Sequence, residues 1–389
     1  MNFSNRTFWN LDENDFSKAV RLARQTGRDL FDLTDSNPTS CGFLQPDNFL
    51  SVLTDTEAAR YTPEPFGMLS AREAVAAYYR DLGVDVAIGH IALTTSTSEA
   101  YSYLFRLLCD AGDEILVPEP SYPLFDFIAC IDNVSLKQYP LHYDPNADEG
   151  HSWGIDLEML AASITPRTRA IIIVNPNNPT GHYTSTQERA ALNQMCRDYD
   201  LALIVDEVFL DYSLGKAQRT FVGGEACLTF VLSGLSKVCA LPQMKCSWIA
   251  TSGPETIVRD ALARLEVIAD TFLSINAPIQ HALPSWLANR SAIQQEILER
   301  MRSNLTMLDM RLRHSSAHRL FLQGGWTVVV RVPRRVDGVR FAAAALMSSV
   351  IVQPGDFYGL PDGRIVLSLL TPPAIWSQGL ERLPIDGDI

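Results

Sequence analysis

The sequence predicts an α/β protein with a mainly parallel central sheet and a smaller α+β domain. Three observations predict it. Strand-like and helix-like stretches alternate from about residue 90, the order that a parallel sheet with crossover helices requires. Residues 170–174 (AIIIV) and 201–205 (LALIV) are apolar at every position, as strands covered on both faces are. After residue 312 the alternation gives way to separated short strands around one helix. A chain of 389 residues has room for two domains. The expected division is an N-terminal segment, 1–50, packing on the small domain, then a large domain, 51–285, and a C-terminal small domain, 286–389.

Taken in order, residues 14–27 form a helix with Phe16, Val20, Leu22 and Ala23 apolar and Gly27 as its stop. A short strand over 30–33 leads into a turn, Ser36-Asn37-Pro38-Thr39, and residues 61–67 are loop. Ser70 caps a helix over 71–80, with Glu73 at the capping-box position. Then come a strand at 91–94, a helix at 98–109, a strand at 114–118, a helix at 123–130, the buried strand 170–174, a helix at 185–197 and the buried strand 201–205. The apolar run 228–232 is the next strand, and 247–251 is an antiparallel edge. Residues 255–312 read as long helix broken near Pro278 and Pro284. The small domain holds strands at 326–332, 350–353 and 365–369, and a helix at 339–347.

Composition narrows the function. A net charge of −13 argues against nucleic acid or an anionic membrane as partner. Arg334-Arg335 is a pair and not a patch. No apolar run reaches the length of a membrane span, and the N-terminus shows no hydrophobic signal core. Seven scattered cysteines without C-x-x-C spacing fit reduced thiols and a cytoplasmic location better than a disulfide framework or a metal site.

The chemistry gathers at the ends of the predicted strands. Lys237 follows the 228–232 run and is one of five lysines, with Lys18, Lys137, Lys216 and Lys245. A lysine at a sheet edge with a lowered pKa forms a Schiff base with an aldehyde, which arginine cannot do; a surface lysine at a strand end is the competing reading. Four other loops offer partners. Thr94 to Glu99 leads hydroxyls into a helix start, where free N–H groups bind anions; an ordinary helix cap competes. Glu119 to Pro123 sets Tyr122 in a rigid turn, able to stack on a planar ring or simply to pack. Asn175 to Gly181 (NPNNPTG) has three amides after a strand buried on both faces, more than a turn needs. Asp206 ends the 201–205 strand, so its carboxylate is partly buried and needs a cationic partner. Glu207 points the other way if the strand persists. An aldehyde-binding lysine, an anion cradle, a stacking ring, a donor to a phenolic oxygen and a carboxylate for a pyridine nitrogen together describe pyridoxal 5′-phosphate.

On these residues the sequence resembles the class I/II aminotransferases, the fold-type-I enzymes that use pyridoxal phosphate, over nearly the whole chain. Asn175-Pro176-x-Asn178-Pro179-Thr180-Gly181 and Ser236-Lys237 carry the resemblance. It implies a three-layer fold-type-I architecture. It also implies that Lys237 forms the Schiff base, Asp206 keeps the pyridine nitrogen protonated, Asn178 bonds the ring oxygen and Tyr122 stacks on the ring. Ser96, Thr97 and Ser98 would cradle the phosphate with Ser236. The family's shared-site homodimer would send Tyr61 into the neighbouring subunit, and Asn37 and Arg364 would face the substrate.

Several positions depart from the family's pattern. Lys245 stands where an arginine usually holds phosphate, Gly234 where serine is common, and Phe209 where a tyrosine bonds the ring oxygen. Ser96 replaces the phosphate-loop glycine, and Val366 occupies the place of the arginine that grips the substrate carboxylate. Arg364, two residues earlier, lies on the same face of a regular strand and is the candidate substitute. The function implied is an aminotransferase moving an amino group between an amino acid and a 2-oxo acid. Two alternatives remain open: a lyase or synthase on the same fold (a carbon–sulfur lyase or aminocyclopropanecarboxylate synthase type), and a non-catalytic sensor.

Overall fold

The computed structural model describes all residues except 47, 124, 148–151, 274, 334–336 and 386–389; the Arg334-Arg335 pair therefore lies outside the described residues. The chain begins with α1 (Asp15–Gln25) and β1 (Phe31–Asp32), followed by α2 (Leu69–Asp81), β2 (Ile91–Thr94) and α3 (Thr97–Leu108). Next come β3 (Glu114–Glu119), α4 (Phe125–Asp132), β4 (Ser135–Tyr143), β5 (Trp153–Ile155), α5 (Leu157–Ala162), β6 (Thr168–Val174) and α6 (Thr186–Asp198). Then β7 (Ala202–Asp206), β8 (Thr229–Gly234), α7 (Leu235–Val238) and β9 (Ser247–Ser252) complete the large sheet. Three helices follow, α8 (Glu255–Phe272), α9 (Ala277–Ala288) and α10 (Arg290–Leu312). The chain closes with β10 (His318–Arg319), β11 (Thr327–Arg331), α11 (Gly338–Met347), β12 (Val350–Ile351), β13 (Gln353–Pro354), β14 (Arg364–Ser368) and α12 (Pro373–Arg382).

The eight-stranded sheet runs β2-β9-β8-β7-β6-β3-β4-β5. The pairs linking β8, β7, β6, β3 and β4 are all parallel. Buried residues of α2, α5, α6 and α9 cover one face, and those of α3, α4 and α8 cover the other. The result is the expected three-layer, mainly parallel α/β core. A four-stranded sheet, β10-β11-β14-β13, and the pair β1-β12 lie in a separate apolar cluster with α10, α11 and α12. Leu33, Cys41 and Phe43 from the N-terminal segment join that cluster. No described helix is long and apolar enough to cross a membrane.

Several local expectations need correction. β9 is antiparallel as expected but is no edge; it lies between β2 and β8, and all but its last residue are buried. Ser70 does not cap α2, which starts one residue earlier behind Met68 with no side-chain cap. The long helix is broken just before Pro278, as expected, but not at Pro284. Pro278 falls in the first turn of α9, where no N–H is needed, and Pro284 lies inside the helix. The interruptions fall between α8 and α9 and at Asn289. Sequence reading missed β4, β5, α5 and α12.

Candidate active site

Parallel strands end at one edge, and five of the loops there carry the expected residues. The pairing of Gly234 with Ser247, and of Ser247 with Thr94, places the Lys237 turn, the Lys245 turn and the Ser96 loop side by side. A Cβ at Gly234 would strike Ser247 Oγ, which accounts for glycine where serine is common. Lys245 is exposed, in a left-handed turn before β9. Ser96 caps α3 by accepting from Glu99 N–H at 3.1 Å. The ordinary cap is therefore present; the N–H groups of Thr97 and Ser98 in the first turn still have no acceptor within the helix.

The three amides after β6 divide their work. Asn175 accepts from Thr184 N–H at 3.0 Å and donates to Glu207 at 3.4 Å. Asn177 accepts from the Thr180 hydroxyl at 2.8 Å and donates to Pro120 O at 3.1 Å, which ties the loop to the Tyr122 turn. Asn178 accepts from the Thr327 hydroxyl at 3.4 Å, and its Nδ2 has no partner among the described residues. Two amides hold the loop, and the third keeps a free donor. Tyr122 is 48% exposed.

Asp206 ends β7, and Glu207 follows it facing the opposite layer. Glu207 accepts from Phe221 N–H at 2.8 Å and lies in the layer of α2 and α6; burial pushes its carboxyl up to about 7. Asp206 faces the other layer, where the Tyr101 hydroxyl donates to it at 3.0 Å and Val208 N–H donates at 3.1 Å. Burial pushes Asp206 up to about 6, opposed by those two donors and the Lys237 charge. Lys237 sits in α7 after Ser236, with no hydrogen bond or ion pair to Nζ among the described residues. Burial lowers its pKa to about 8, and Asp206 partly restores it. Its Nζ lies over two rings, Trp326 at 4.6 Å and Phe209 at 5.3 Å from the centroids.

Tyr101 and Trp326 were not read from the sequence. Tyr101 is 105 positions from the carboxylate it serves, and the only signal was that a buried carboxylate needs donors. The substrate-side expectations fare differently. Arg364 does not reach the lysine: its Nη1 donates back to Pro361 O at 3.0 Å and Asp362 O at 3.1 Å. It begins β14, while Ser368 at the other end, roughly 13 Å along the strand, accepts from the Ser36 hydroxyl at 2.9 Å. The same-face rule holds, but the strand's length separates them. Val366 is buried, paired with Val329, and packs with the apolar cluster on the α2 and α9 face of the large sheet. Asn37 is exposed, and its amide oxygen accepts from the Thr39 hydroxyl at 2.8 Å. Tyr61 is 84% exposed.

An unpaired buried amine, a buried carboxylate, a free amide donor, a half-exposed aromatic side chain and a helix start at one sheet edge suit a flat aldehyde with a basic ring nitrogen and a phosphate. The orphaned buried N–H of Trp326 adds a further unused donor in the neighbourhood.

The sequence profile for aminotransferase class I and II matches residues 30–375. Glutamate-pyruvate aminotransferase AlaA of Escherichia coli (strain K12) is 30% identical over 284 residues, covering 72% of this chain and 69% of that one. Alanine aminotransferase of Mycobacterium tuberculosis is 29% identical over 287 residues, covering 72% and 65%. A solved alanine aminotransferase from Pyrococcus furiosus superposes with a TM-score of 0.86 at 22% identity, covering 98% of each chain.

Proposed function

We propose that Lys237 carries the amino-group transfer of this chain, which belongs to the class I and II aminotransferase family and is a pyridoxal-phosphate-dependent aminotransferase. Its substrates are an amino acid and a 2-oxo acid. The observation that carries the Lys237 assignment is the buried, unpartnered Nζ with the Asp206 carboxylate as the charge beside it. When bound, pyridoxal phosphate supplies an aldehyde that takes up an amino group and a ring that withdraws electrons while its nitrogen is protonated. Asp206, oriented by Tyr101 and Val208, would hold that positive charge. Asn178 Nδ2 would donate to the ring oxygen, and Tyr122 would stack on the ring. Ser96, Thr97, Ser98, Ser236 and Lys245 would hold the phosphate. The Lys237 amine would remove the proton from the substrate α-carbon and return it one carbon away, as base and then acid. Burial suits it to this work, because a pKa of about 8 leaves an appreciable neutral fraction near pH 7.

The pH dependence follows with its sign. A buried lysine whose pKa is lowered gains its neutral form at lower pH than an exposed one. Uptake of pyridoxal phosphate by the apoprotein should therefore speed up about tenfold per pH unit below about 8 and level off above it. Stopped-flow absorbance measures this; a rise that continues past pH 10 contradicts a buried, perturbed amine.

The relatives' names make L-alanine and L-glutamate, with pyruvate and 2-oxoglutarate, the first pairs to test. Each amino acid added alone should convert the bound aldehyde form to the amine form, which absorbs at shorter wavelength. Release of pyruvate with ammonia, without that conversion, would favour the lyase reading instead. A homodimer also belongs to this proposal, supported by Tyr61 standing 84% exposed on the single chain. So does a cytoplasmic location, supported by seven free cysteines.

A further inference from the structure

The Lys237 side chain runs into aromatic rings. Its Nζ lies 4.6 Å from the Trp326 ring centroid and 5.3 Å from that of Phe209. These two rings meet edge to face, 5.3 Å apart at 66°. Trp326 also stands edge to face with Tyr212, at 5.1 Å and 68°. Tyr212 closes the circuit, its hydroxyl donating to the Lys237 carbonyl at 2.6 Å. All three rings are buried.

The backbone fixes Trp326 in this position from two sides. Leu369 N–H donates to Trp326 O at 2.8 Å, and Gly325 N–H donates to Tyr212 O at 3.0 Å. Gln323 and Gly324 N–H donate to Gly181 O at 3.1 and 3.2 Å, so the segment before Trp326 is bound to the loop that carries Asn178. A Cβ at Gly324 would collide with the Tyr212 carbonyl, so this close crossing needs glycine.

We propose that Trp326 is a positioning residue: with Phe209 it forms an aromatic cradle that holds the positively charged nitrogen of Lys237 and stabilises its charge. The proposal rests on Lys237 carrying the cofactor. The face of an aromatic ring is negative, indole most strongly, and the attraction for a cation grows where water is excluded. The other charge facing this nitrogen is Asp206 at the end of β7. Titratable hydroxyls packed nearby are Tyr101 from α3, bound to Asp206, and Tyr212, bound to the Lys237 carbonyl. From β11 and its approach come Trp326 and Thr327, which do not titrate. A cation on Lys237 is thus stabilised by one carboxylate and two ring faces.

The test uses the holoenzyme. Pyridoxal phosphate joined to Lys237 gives a visible band whose pH midpoint reports the proton on that nitrogen. Trp326→Leu keeps the surroundings apolar and removes the ring face, so the midpoint should fall by about one pH unit. Trp326→Phe keeps a face and should recover more than half of the fall. Phe209→Leu guards against misfolding of the tryptophan variant; it should lower the midpoint by a smaller amount, since that ring is farther away. An unchanged or raised midpoint in Trp326→Leu and Phe209→Leu overturns the cradle, as does Trp326→Phe behaving like Trp326→Leu. A wild-type holoenzyme without the band contradicts the Lys237 assignment itself, whereas a band that does not shift contradicts only the cradle.

Discussion

Lys237→Ala is expected to abolish transamination, with kcat falling at least about 10⁴-fold. Two functions go at once, the attachment of the cofactor and the proton shuttle at the substrate α-carbon. No neighbouring group replaces them: the Trp326 and Phe209 rings beside Nζ accept no proton, and the Asp206 carboxylate would be engaged by the ring nitrogen. The same variant should fold normally. Nζ makes no hydrogen bond or ion pair among the described residues, and its burial disfavours its charge, so its loss removes a poorly solvated cation and little else. Circular dichroism and a thermal melt of the apoprotein should match wild type within a few degrees, while steady-state assays with saturating substrate read the loss. Residual activity above about one per cent in a folded variant would contradict the assignment.

Asp206→Asn should lower kcat by about 10²–10⁴-fold with a much smaller change in substrate KM. The physical reason lies in the sign of the coupling. Burial pushes the Asp206 carboxyl up to about 6 even against the Val208 and Tyr101 donors and the Lys237 charge. A positive ring nitrogen facing it favours the carboxylate, and the carboxylate in turn favours the proton on the nitrogen. Asparagine fills the same space but cannot hold that charge, so the bound ring becomes a weaker electron sink. Asp206→Ala would do more damage to the fold, because the Tyr101 hydroxyl and Val208 N–H would lose their acceptor. Each stranded donor costs about 1–3 kcal/mol. Stability loss in the alanine variant but not in the asparagine variant separates the structural from the catalytic role. Asparagine activity within tenfold of wild type would contradict it.

The large domain was legible because its strands are written in runs of apolar residues. Residues 170–174 and 201–205 could be nothing but buried strands, and their positions fixed where the loops of Asn175 to Gly181 and Asp206 would lie. β4 was not legible for the opposite reason. Of its nine residues only Tyr139 and Leu141 are buried, and Lys137, Gln138, Pro140 and His142 interrupt any pattern. α12 begins directly at Pro372-Pro373, where proline at a helix start is favourable. β9 shows a further limit: its apolar content was visible, but nothing local says which strands flank it.

Within the site, the residues whose place is set by the local chain were the readable ones. Asn178, Asp206 and Lys237 each follow directly from a strand end. Residues whose work depends on a distant partner were not. Tyr101 reaches Asp206 from α3, and Trp326 reaches Lys237 from the approach to β11, with no spacing in the sequence to announce either contact. Arg364 shows the converse. Periodicity put it on the correct face of its strand, but the face alone did not say which end of the strand meets the lysine.

The most direct measurement is to reduce the holoenzyme with borohydride, digest it and map the pyridoxyl group by mass spectrometry. The chain has five lysines to choose among, Lys18, Lys137, Lys216, Lys237 and Lys245. One modified peptide containing Lys237 is the predicted result. Stoichiometric label on Lys245 or any other lysine, with Lys237 unmodified, would contradict the account.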